Sequence, residues 1–317
     1  MNIELVTPAP LHLNNGNRIT AQRWAALLEK LGHSVRITQS YDGRRCELLL
    51  ALHARRSADS VSRFQRLHPA RPLVLALTGT DLYRDIRTSA EAQRSLELAT
   101  RLIVLQKAAL RDLPAHYHPK ARVIYQSAEP LTIIRPKRPR WFEVCLIAHL
   151  RAEKDPLRAA AAVRLLPRDS RIRLTHIGIS LDRAFERRAR AELVRNPRYR
   201  WVGARSHRRT RERLARSDLV CITSEMEGSS NVLSEALASK VPVIATKIPG
   251  LIGTLGERFP GYFPVGDTER LSALLLRAER DSSFYRSLQR HCARAAKWVR
   301  PERELAAWRS LLREVAR

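Results

Sequence analysis

Residues 218–245, DLVCITSEMEGSSNVLSEALASKVPVIA, decide the fold. They begin with an apolar run (Asp218–Thr223), pass through a polar turn into residues with helical spacing (Asn231–Ser239), and end in a second apolar run (Val241–Ala245). Two apolar runs of strand length joined by a helical segment are typical of a β-α-β unit with parallel strands. This stretch therefore predicts a parallel sheet covered by helices.

The same alternation continues along the whole chain. In the first half, the predicted strands are Asn2–Thr7, Ser34–Thr38, Glu47–Leu52, Leu73–Leu77, Arg101–Leu105 and Ala121–Tyr125. In the second half, three further strands are predicted at Phe142–Ala148, Arg171–Ile177 and Tyr199–Val202. The other predicted helices are Asn17–Leu31, Pro156–Leu166, Phe185–Arg195 and Pro301–Arg317. We therefore predict an α/β protein with two Rossmann-like doubly wound domains that face each other across a cleft.

A basic run that contains two prolines, Arg135–Arg140, separates the two halves. The prolines restrict the backbone and the run has no apolar face to bury, so it is predicted to be a linker. We predict an N-terminal domain over residues 1–138, a C-terminal domain over 139–300, and a final amphipathic helix over 301–317 that packs back on the N-terminal domain. Because ligands of doubly wound sheets bind beyond the carboxyl ends of the strands, the cleft is the expected active site.

The composition argues against several other classes of protein. No apolar run approaches the ~20 residues needed to span a bilayer, and the start, MNIELVTPAP, is predicted to be a first strand and not a secretory leader. The four cysteines lie far apart, which argues against a disulfide framework and against a zinc site. We expect a cytoplasmic protein with buried, reduced thiols.

The charge of the chain is unusual, with 58 Lys and Arg against 31 Asp and Glu and a formal net charge of +27. Such a balance suits nucleic acid, whose phosphates need clustered cations, and it also suits a small anionic substrate attracted by the overall field. The arginines are spread through nearly every predicted helix, and no block resembles a basic tail. We therefore expect no specific nucleic-acid partner, and keep nucleic-acid binding as an alternative.

The turn before the predicted helix at 231–239 carries residues suited to a nucleotide ligand. A tight turn would expose the free amides of a helix N-terminus, a good site for a diphosphate, at Gly228, Ser229, Ser230 and Asn231. Glu227 lies before the helix, and Glu235 lies one to two turns inside it, where a carboxylate can accept hydrogen bonds from the hydroxyls of a ribose. A capped surface helix would explain the same spacing.

Two loops of the first half also follow predicted strands. Gly16, Asn17 and Arg18 stand at the start of a helix, which is an anion-binding geometry with an added positive charge. Thr80 and Asp81 lie in the polar loop that follows the strand Leu73–Leu77. Turn and capping chemistry would explain both loops. Because both lie at strand ends, we predict that they bind the phosphate of an acceptor.

Segments along the second half resemble the family-4 glycosyltransferases. Glu227 and Glu235 match the E-x-x-x-x-x-x-x-E signature of that family, and the segments that match its template in order after it are Ser239–Ala245, Pro249–Gly250 and Phe263–Asp267. The resemblance implies the GT-B fold of two Rossmann-like domains, a nucleotide-sugar donor on the second domain, and neither a metal nor another cofactor. It also implies that Glu235 holds the ribose and that Glu227 faces the donor sugar near the transferred carbon.

The loop Ala148–Asp155 departs from the Gly-Arg-Leu…Lys-Gly pattern of this family. Lys154 matches the lysine, but His149 replaces the arginine and Asp155 replaces the final glycine. Fixed cations in this loop would offset the charge that develops on the departing diphosphate, a task for Lys154 with Arg151 in place of the missing arginine. A solvated surface side chain would explain Arg151 equally well. His149 is either a donor to phosphate or a neutral packing residue.

A narrower resemblance runs the length of the chain, through GNRITAQRW, ALTGTDLYRDI, FEVCLIAHLRAEKDPLRAA, EMEGSSNVLSEA and PGYFPVGDT. These segments resemble the selenosugar synthases of selenoneine biosynthesis, a branch of the family-4 glycosyltransferases. That resemblance implies UDP-N-acetylglucosamine or UDP-glucose as donor, selenophosphate as acceptor, and a 1-seleno-sugar as product, with release of UDP and phosphate. A strongly nucleophilic acceptor has little need for a general base, so catalysis would depend on orientation and on stabilisation of the leaving group.

Two further alternatives stay open beside nucleic-acid binding. An ordinary family-4 glycosyltransferase would use a hydroxyl acceptor and would need a basic residue placed to accept its proton. A protein that binds nucleotide sugars without catalysis would use the same scaffold, because a fold does not determine a function.

Overall fold

The computed structural model describes residues 1–8, 16–133 and 140–316. By its internal contacts the chain divides into two units. The first unit consists of Met1–Ser127, Glu227–Asn231 and Arg300–Arg317, and the second of Ala128–Met226 and Val232–Val299. Most of the predicted linker, and the domain boundary predicted at residues 138 and 139, lie outside the described residues.

The first unit contains a sheet of six parallel strands in the order β2-β1-β3-β4-β5-β6. Its strands are β1 (Asn2–Val6), β2 (Ser34–Thr38), β3 (Leu48–Leu52), β4 (Leu73–Leu77), β5 (Arg101–Val104) and β6 (Ala121–Val123). Its first four helices are α1 (Gly16–Lys30), α2 (Ala58–Leu67), α3 (Ile86–Thr88) and α4 (Ala90–Leu98). All five side chains of β3 and of β4 are buried, as expected for central parallel strands covered on both faces.

The second unit contains another six-stranded parallel sheet, in the order β12-β11-β10-β7-β8-β9. Its strands are β7 (Phe142–Ile147), β8 (Ile172–Ile177), β9 (Tyr199–Trp201), β10 (Leu219–Ile222), β11 (Val243–Thr246) and β12 (Tyr262–Phe263). Its helices are α5 (Arg158–Arg164), α6 (Arg183–Arg195), α7 (His207–Arg216), α8 (Asn231–Ala238), α9 (Pro249–Leu255), α10 (Thr268–Arg280) and α11 (Ser282–Ala295). One continuous apolar core surrounds this sheet.

The last helix, α12 (Pro301–Val315), begins at a proline and clusters with the first unit. Its Trp308 packs edge-on against Trp24 of α1, with ring centroids 4.9 Å apart, and both side chains are buried. Leu311 and Leu312 extend the same apolar cluster. The helix therefore completes one face of the first core.

The predicted α/β class with two doubly wound parallel sheets is confirmed. Each predicted strand and helix named above is present, with ends displaced by at most two residues. The strand β12 was not predicted, because two residues are too few to show the alternation that marks a strand.

The four cysteines are free and buried, as predicted. Burial raises the pKa of the Cys46 thiol to about 11 and that of the Cys145 and Cys292 thiols to about 12. Because the thiolate is the reactive form, these side chains behave as small apolar core residues. Within residues 1–8, 16–133 and 140–316, no helix combines the length and apolar character needed to cross a membrane.

Candidate functional site

The carboxyl ends of β7 and β10 form the topological switch point of the second sheet. The two strands are neighbours, but the chain leaves β7 toward β8 on one side and leaves β10 toward β11 on the other. Thr223 Oγ1, after β10, donates a 2.9 Å hydrogen bond to the carbonyl of Lys154, and the Glu225 amide donates one of 3.0 Å to the carbonyl of Glu153. The loops that follow the two strands are therefore joined where doubly wound sheets bind ligands.

The loop after β7 places the predicted cations. It turns through a short 3-10 segment, Ala152–Lys154, and reverses at Asp155, whose φ of 38° is left-handed. Glycine adopts such a φ without strain and aspartate tolerates it better than most residues, which explains why Asp155 can replace the glycine of the family pattern. Arg158 holds the Asp155 carboxylate with a 2.7 Å ion pair. Arg151 is exposed in this loop, and Lys154 is half-buried.

The loops after β7 and β8 are held together by close backbone contact. A Cβ on Gly178 would lie 1.8 Å from the Ala148 carbonyl oxygen, so only glycine fits there. His149 accepts a 3.3 Å hydrogen bond from the Ile179 amide through Nδ1. This contact fixes the ring against the β8 loop, and the proposed phosphate-binding role of His149 stays a prediction.

His176, at the end of β8, is hydrogen-bonded to the start of the β7 loop. Its Nε2–H donates to the Ala148 carbonyl at 2.8 Å, and its Nδ1 accepts from the Tyr199 hydroxyl at 2.8 Å. The side chain is fully buried, and burial lowers the pKa of His176 to about 4. The ring is therefore neutral in the folded protein at neutral pH, and its two hydrogen bonds give it a structural role.

The burial of His176 predicts a pH-dependent stability. The unfolded chain binds a proton at this side chain below about pH 6.5, whereas the folded protein does so only near pH 4. Unfolding therefore takes up a proton in this window, and lowering the pH from 6.5 to 4 should lower the free energy of unfolding by about 3 kcal/mol. Other groups titrate in this range, among them His53, whose pKa burial also lowers, so each variant should lose some stability. Urea denaturation should show a decrease in His176→Gln that is about 3 kcal/mol smaller than the decrease in the wild type and in the exposed-site control His116→Gln. A wild-type slope retained in His176→Gln would contradict this assignment.

Glu235 lies in the second turn of α8 and is buried, with 6% of its surface exposed. Its Oε1 accepts a 2.7 Å hydrogen bond from Nε2 of His207, the first residue of α7. His207 was not predicted as a site residue, because nothing in the sequence links a histidine after β9 to a carboxylate 28 residues later. Arg208 and Arg209, next to it, are exposed and make the surroundings positive.

The turn Glu227–Asn231 clusters with the first unit. A Cβ on Gly228 would lie 2.5 Å from the backbone of Thr78, and one on Gly79, whose φ is +140°, would lie 2.8 Å from the Gly228 amide nitrogen. Both positions therefore require glycine, because two backbones meet there. The predicted site residues Gly228 and Ser230 are buried, whereas Glu227 and Ser229 are half-buried.

Asn231 joins this turn to the start of α1. Its Nδ2 donates to the Gly16 carbonyl at 3.1 Å and to Thr20 Oγ1 at 3.3 Å, while its Oδ1 accepts from Arg23 at 2.9 Å. The structure thus brings together two predicted site residues, Gly16 and Asn231, that are 215 positions apart in sequence. Asn17 and Arg18, in the first turn of α1, are half-buried.

The loop after β4 is organised around Asp81. The buried Asp81 carboxylate accepts hydrogen bonds from the amides of Thr78, Gly79 and Ala54 at 2.8 to 3.2 Å. Asp81 therefore determines the conformation of the loop. Because its carboxylate accepts these amides, the structure gives no support to the prediction that Asp81 binds an anion. Thr80 Oγ1 bonds to Nε2 of buried His53 at 2.9 Å, and His53 itself has a left-handed φ of 74°.

No cluster of three or more His, Cys, Asp or Glu side chains arranged to hold a metal ion is found in the part of the chain that the structure describes. In the first unit, polar groups that follow strands include the start of α1 and the hydroxyl of Thr80. In the second unit they include the side chains of the β7 loop. Helix starts and cationic side chains suit a phosphorylated ligand better than a neutral apolar one.

A family model described as glycosyl transferases group 1 matches residues 135–298, which is more than half of the chain, and the protein belongs to this family. Its fold is that of the GT-B glycosyltransferases, and the protein is a transferase by family. Anabaena HepE in complex with UDP and glucose shares 16% identity at a TM-score of 0.75, over 100% of this chain and 99% of that one.

Two other solved structures share the fold over nearly their whole lengths. Sucrose-phosphate synthase from Thermosynechococcus elongatus has 16% identity and a TM-score of 0.78, with 99% of this chain and 98% of that one covered. A glycosyltransferase from Rickettsia africae has 14% identity and a TM-score of 0.74, with 100% and 98% covered. At these identities the likeness shows the fold alone.

Proposed function

We propose that the protein transfers a hexosyl group from UDP-N-acetylglucosamine or UDP-glucose to selenophosphate. The selenium atom attacks the anomeric carbon, and the bond between that carbon and the UDP oxygen breaks, with UDP leaving as the anion. Water then cleaves the phosphorus–selenium bond, which yields phosphate and the 1-seleno-sugar. The protein would thus be a glycosyltransferase that forms a carbon–selenium bond.

The observation that carries the donor assignment is the junction of the β7 and β10 loops. Thr223 and Lys154 are hydrogen-bonded there, and α8, with Glu235 in its second turn, follows the β10 loop. We assign the ribose to Glu235, the diphosphate to the α8 start and His149, and the stabilisation of departing UDP to Lys154 and Arg151. HepE, which has the same fold, is known in complex with UDP and glucose.

Charge and sequence resemblance support the anionic acceptor. The chain carries a formal net charge of +27, and selenophosphate is small and strongly anionic, so a basic environment favours its approach. We assign its phosphate to the amides and side chains of Gly16–Arg18 and to the hydroxyl of Thr80, which Nε2 of His53 holds in place. Glu227 is assigned to the donor sugar, which it would orient for attack.

Mass spectrometry of a reaction that contains the protein, a UDP-sugar and freshly made selenophosphate tests the proposal. We expect a product with the selenium isotope pattern at the mass of the seleno-sugar, together with UDP and phosphate in equal amounts. Inorganic phosphate in place of selenophosphate is the matched control and should give no product. UDP binding without a selenium product would contradict the acceptor and favour a hydroxyl acceptor, and no binding of UDP would contradict the donor.

A further inference from the structure

Glu235 and His207 form an asymmetric pair within the second unit. The Glu235 side chain is 8% exposed, whereas that of His207 is 45% exposed. His207 Nε2 donates to Oε1 at 2.7 Å. Within the described residues, Oε1 accepts the hydrogen bond from His207 and no hydrogen bond to Oε2 is found, so Oε2 is the oxygen left to accept from a ligand.

This arrangement determines which lone pairs of the carboxylate face a ligand. A carboxylate has about four acceptor positions on its two oxygens, and a buried one that lacks a donor is costly. His207 supplies one donor to Oε1 and thereby fixes the plane of the group. The lone pairs of Oε2 then keep one orientation in which they can accept from a ligand.

The backbone around His207 holds it in a defined place. Ser206 caps α7 through its hydroxyl, which accepts from the Arg209 amide. Gly203, at a φ of 68°, accepts a 3.1 Å hydrogen bond from the Gly178 amide, and the indole of Trp201 donates to the Gly178 carbonyl at 2.7 Å. The segment that leads from β9 into α7 is therefore anchored to the loop after β8, although the His207 side chain itself is 45% exposed.

We propose that His207 is a positioning residue for the ribose of the nucleotide donor. It holds the Glu235 carboxylate so that the remaining lone pairs accept the 2′- and 3′-hydroxyls, and it thereby favours ribonucleotides over their deoxy counterparts. This inference rests on the proposed function, because it assumes that Glu235 receives the ribose. A hydrogen bond from a ribose hydroxyl to a charged acceptor contributes about tenfold to affinity, and this contribution is lost when the carboxylate is no longer held in place.

Calorimetric titration with UDP and with 2′,3′-dideoxy-UDP tests the inference in three variants. His207→Ala should weaken UDP binding about tenfold and leave dideoxy-UDP binding unchanged, because that ligand lacks the hydroxyls through which the effect passes. His207→Gln should restore UDP affinity, since a glutamine amide nitrogen can occupy the place of Nε2. Arg208→Ala is the matched control: it removes a full positive charge at the neighbouring, 88% exposed side chain and should leave both affinities within about twofold.

The outcomes separate the inference from the function on which it rests. Wild-type protein that binds UDP, with His207→Ala unchanged, overturns the role of His207 and leaves the donor proposal standing. Equal weakening of UDP and dideoxy-UDP in His207→Ala also overturns it, because the effect would then be structural. Wild-type protein that binds no UDP overturns the donor proposal and this inference together.

Discussion

Replacing Lys154 with alanine is expected to lower kcat by about two to three orders of magnitude, the range seen when a fixed charge-stabilising group is removed from an active site. Under the proposed function, negative charge grows on the diphosphate as the bond to the sugar breaks. The Lys154 backbone carbonyl accepts a hydrogen bond from Thr223 at the switch point, which fixes the place where the lysine side chain leaves the loop. Since the charge grows in the transition state, kcat should fall more than UDP affinity.

Rates of UDP release at saturating substrates, together with the UDP dissociation constant, measure this effect. Lys154→Arg keeps the charge with a different shape and should recover part of the rate. Arg151→Ala, in the same loop but at an exposed position, should lower kcat by no more than about tenfold, because water screens an exposed charge. A Lys154→Ala protein with wild-type kcat would remove Lys154 from the mechanism.

The fold could be predicted because its signals are local. The continuous apolar runs of β3 and β4, LLLAL and LVLAL, mark central parallel strands without any knowledge of their neighbours. Capping and turn signals place the helix ends in the same way. The two-residue strand β12 was not predicted, because two residues are too few to show a pattern and its pairing with β11 is a tertiary contact.

The candidate site was predictable only in part. The loops and their glycines could be located, because strand ends and turn residues are visible in sequence. The sequence does not show why Gly79 and Gly228 must be glycine. A Cβ on either residue would clash with the backbone of the other, which is 149 positions away in sequence. Asp81 shows the opposite case: its position after a strand suggested ligand binding, whereas its oxygens accept amides of its own loop and of Ala54.

Long-range polar pairs were the least predictable feature. Neither the spacing nor the neighbouring residues of His207 and Glu235 indicate that the two side chains are paired. By residue type alone, both would be expected at the surface. The overall charge of +27 favours an anionic ligand, but it does not show which residues bind that ligand. Roles can therefore be assigned to these residues only when their contacts in the folded protein are known.

The strongest case of such a pairing is Glu304 of α12. Its carboxylate is buried and accepts from the Trp24 indole at 2.7 Å, the Ser127 amide at 2.8 Å and the Ser127 hydroxyl, and it pairs with Arg23 at 3.1 Å. Arg23 in turn donates to Asn231 at 2.9 Å. One carboxylate therefore joins α12 to α1 and, through Arg23, to the residue that begins α8.

Glu304→Ala is accordingly expected to lower the free energy of unfolding by about 3–5 kcal/mol, because it leaves a partly buried guanidinium and several donors without their acceptor. Urea denaturation followed by tryptophan fluorescence measures this decrease directly, since Trp24 and Trp308 pack beside the network.

Glu302→Ala is the matched control: it removes an exposed carboxylate from the same first turn of α12 and should cost no more than about 0.5 kcal/mol. Glu304→Gln should fall between the two, because the amide can still accept hydrogen bonds but no longer balances the charge of Arg23. If Glu304→Ala and Glu302→Ala unfold at the same urea concentration, the pairing contributes nothing net, and the packing of Trp308 against Trp24 must hold α12 by itself.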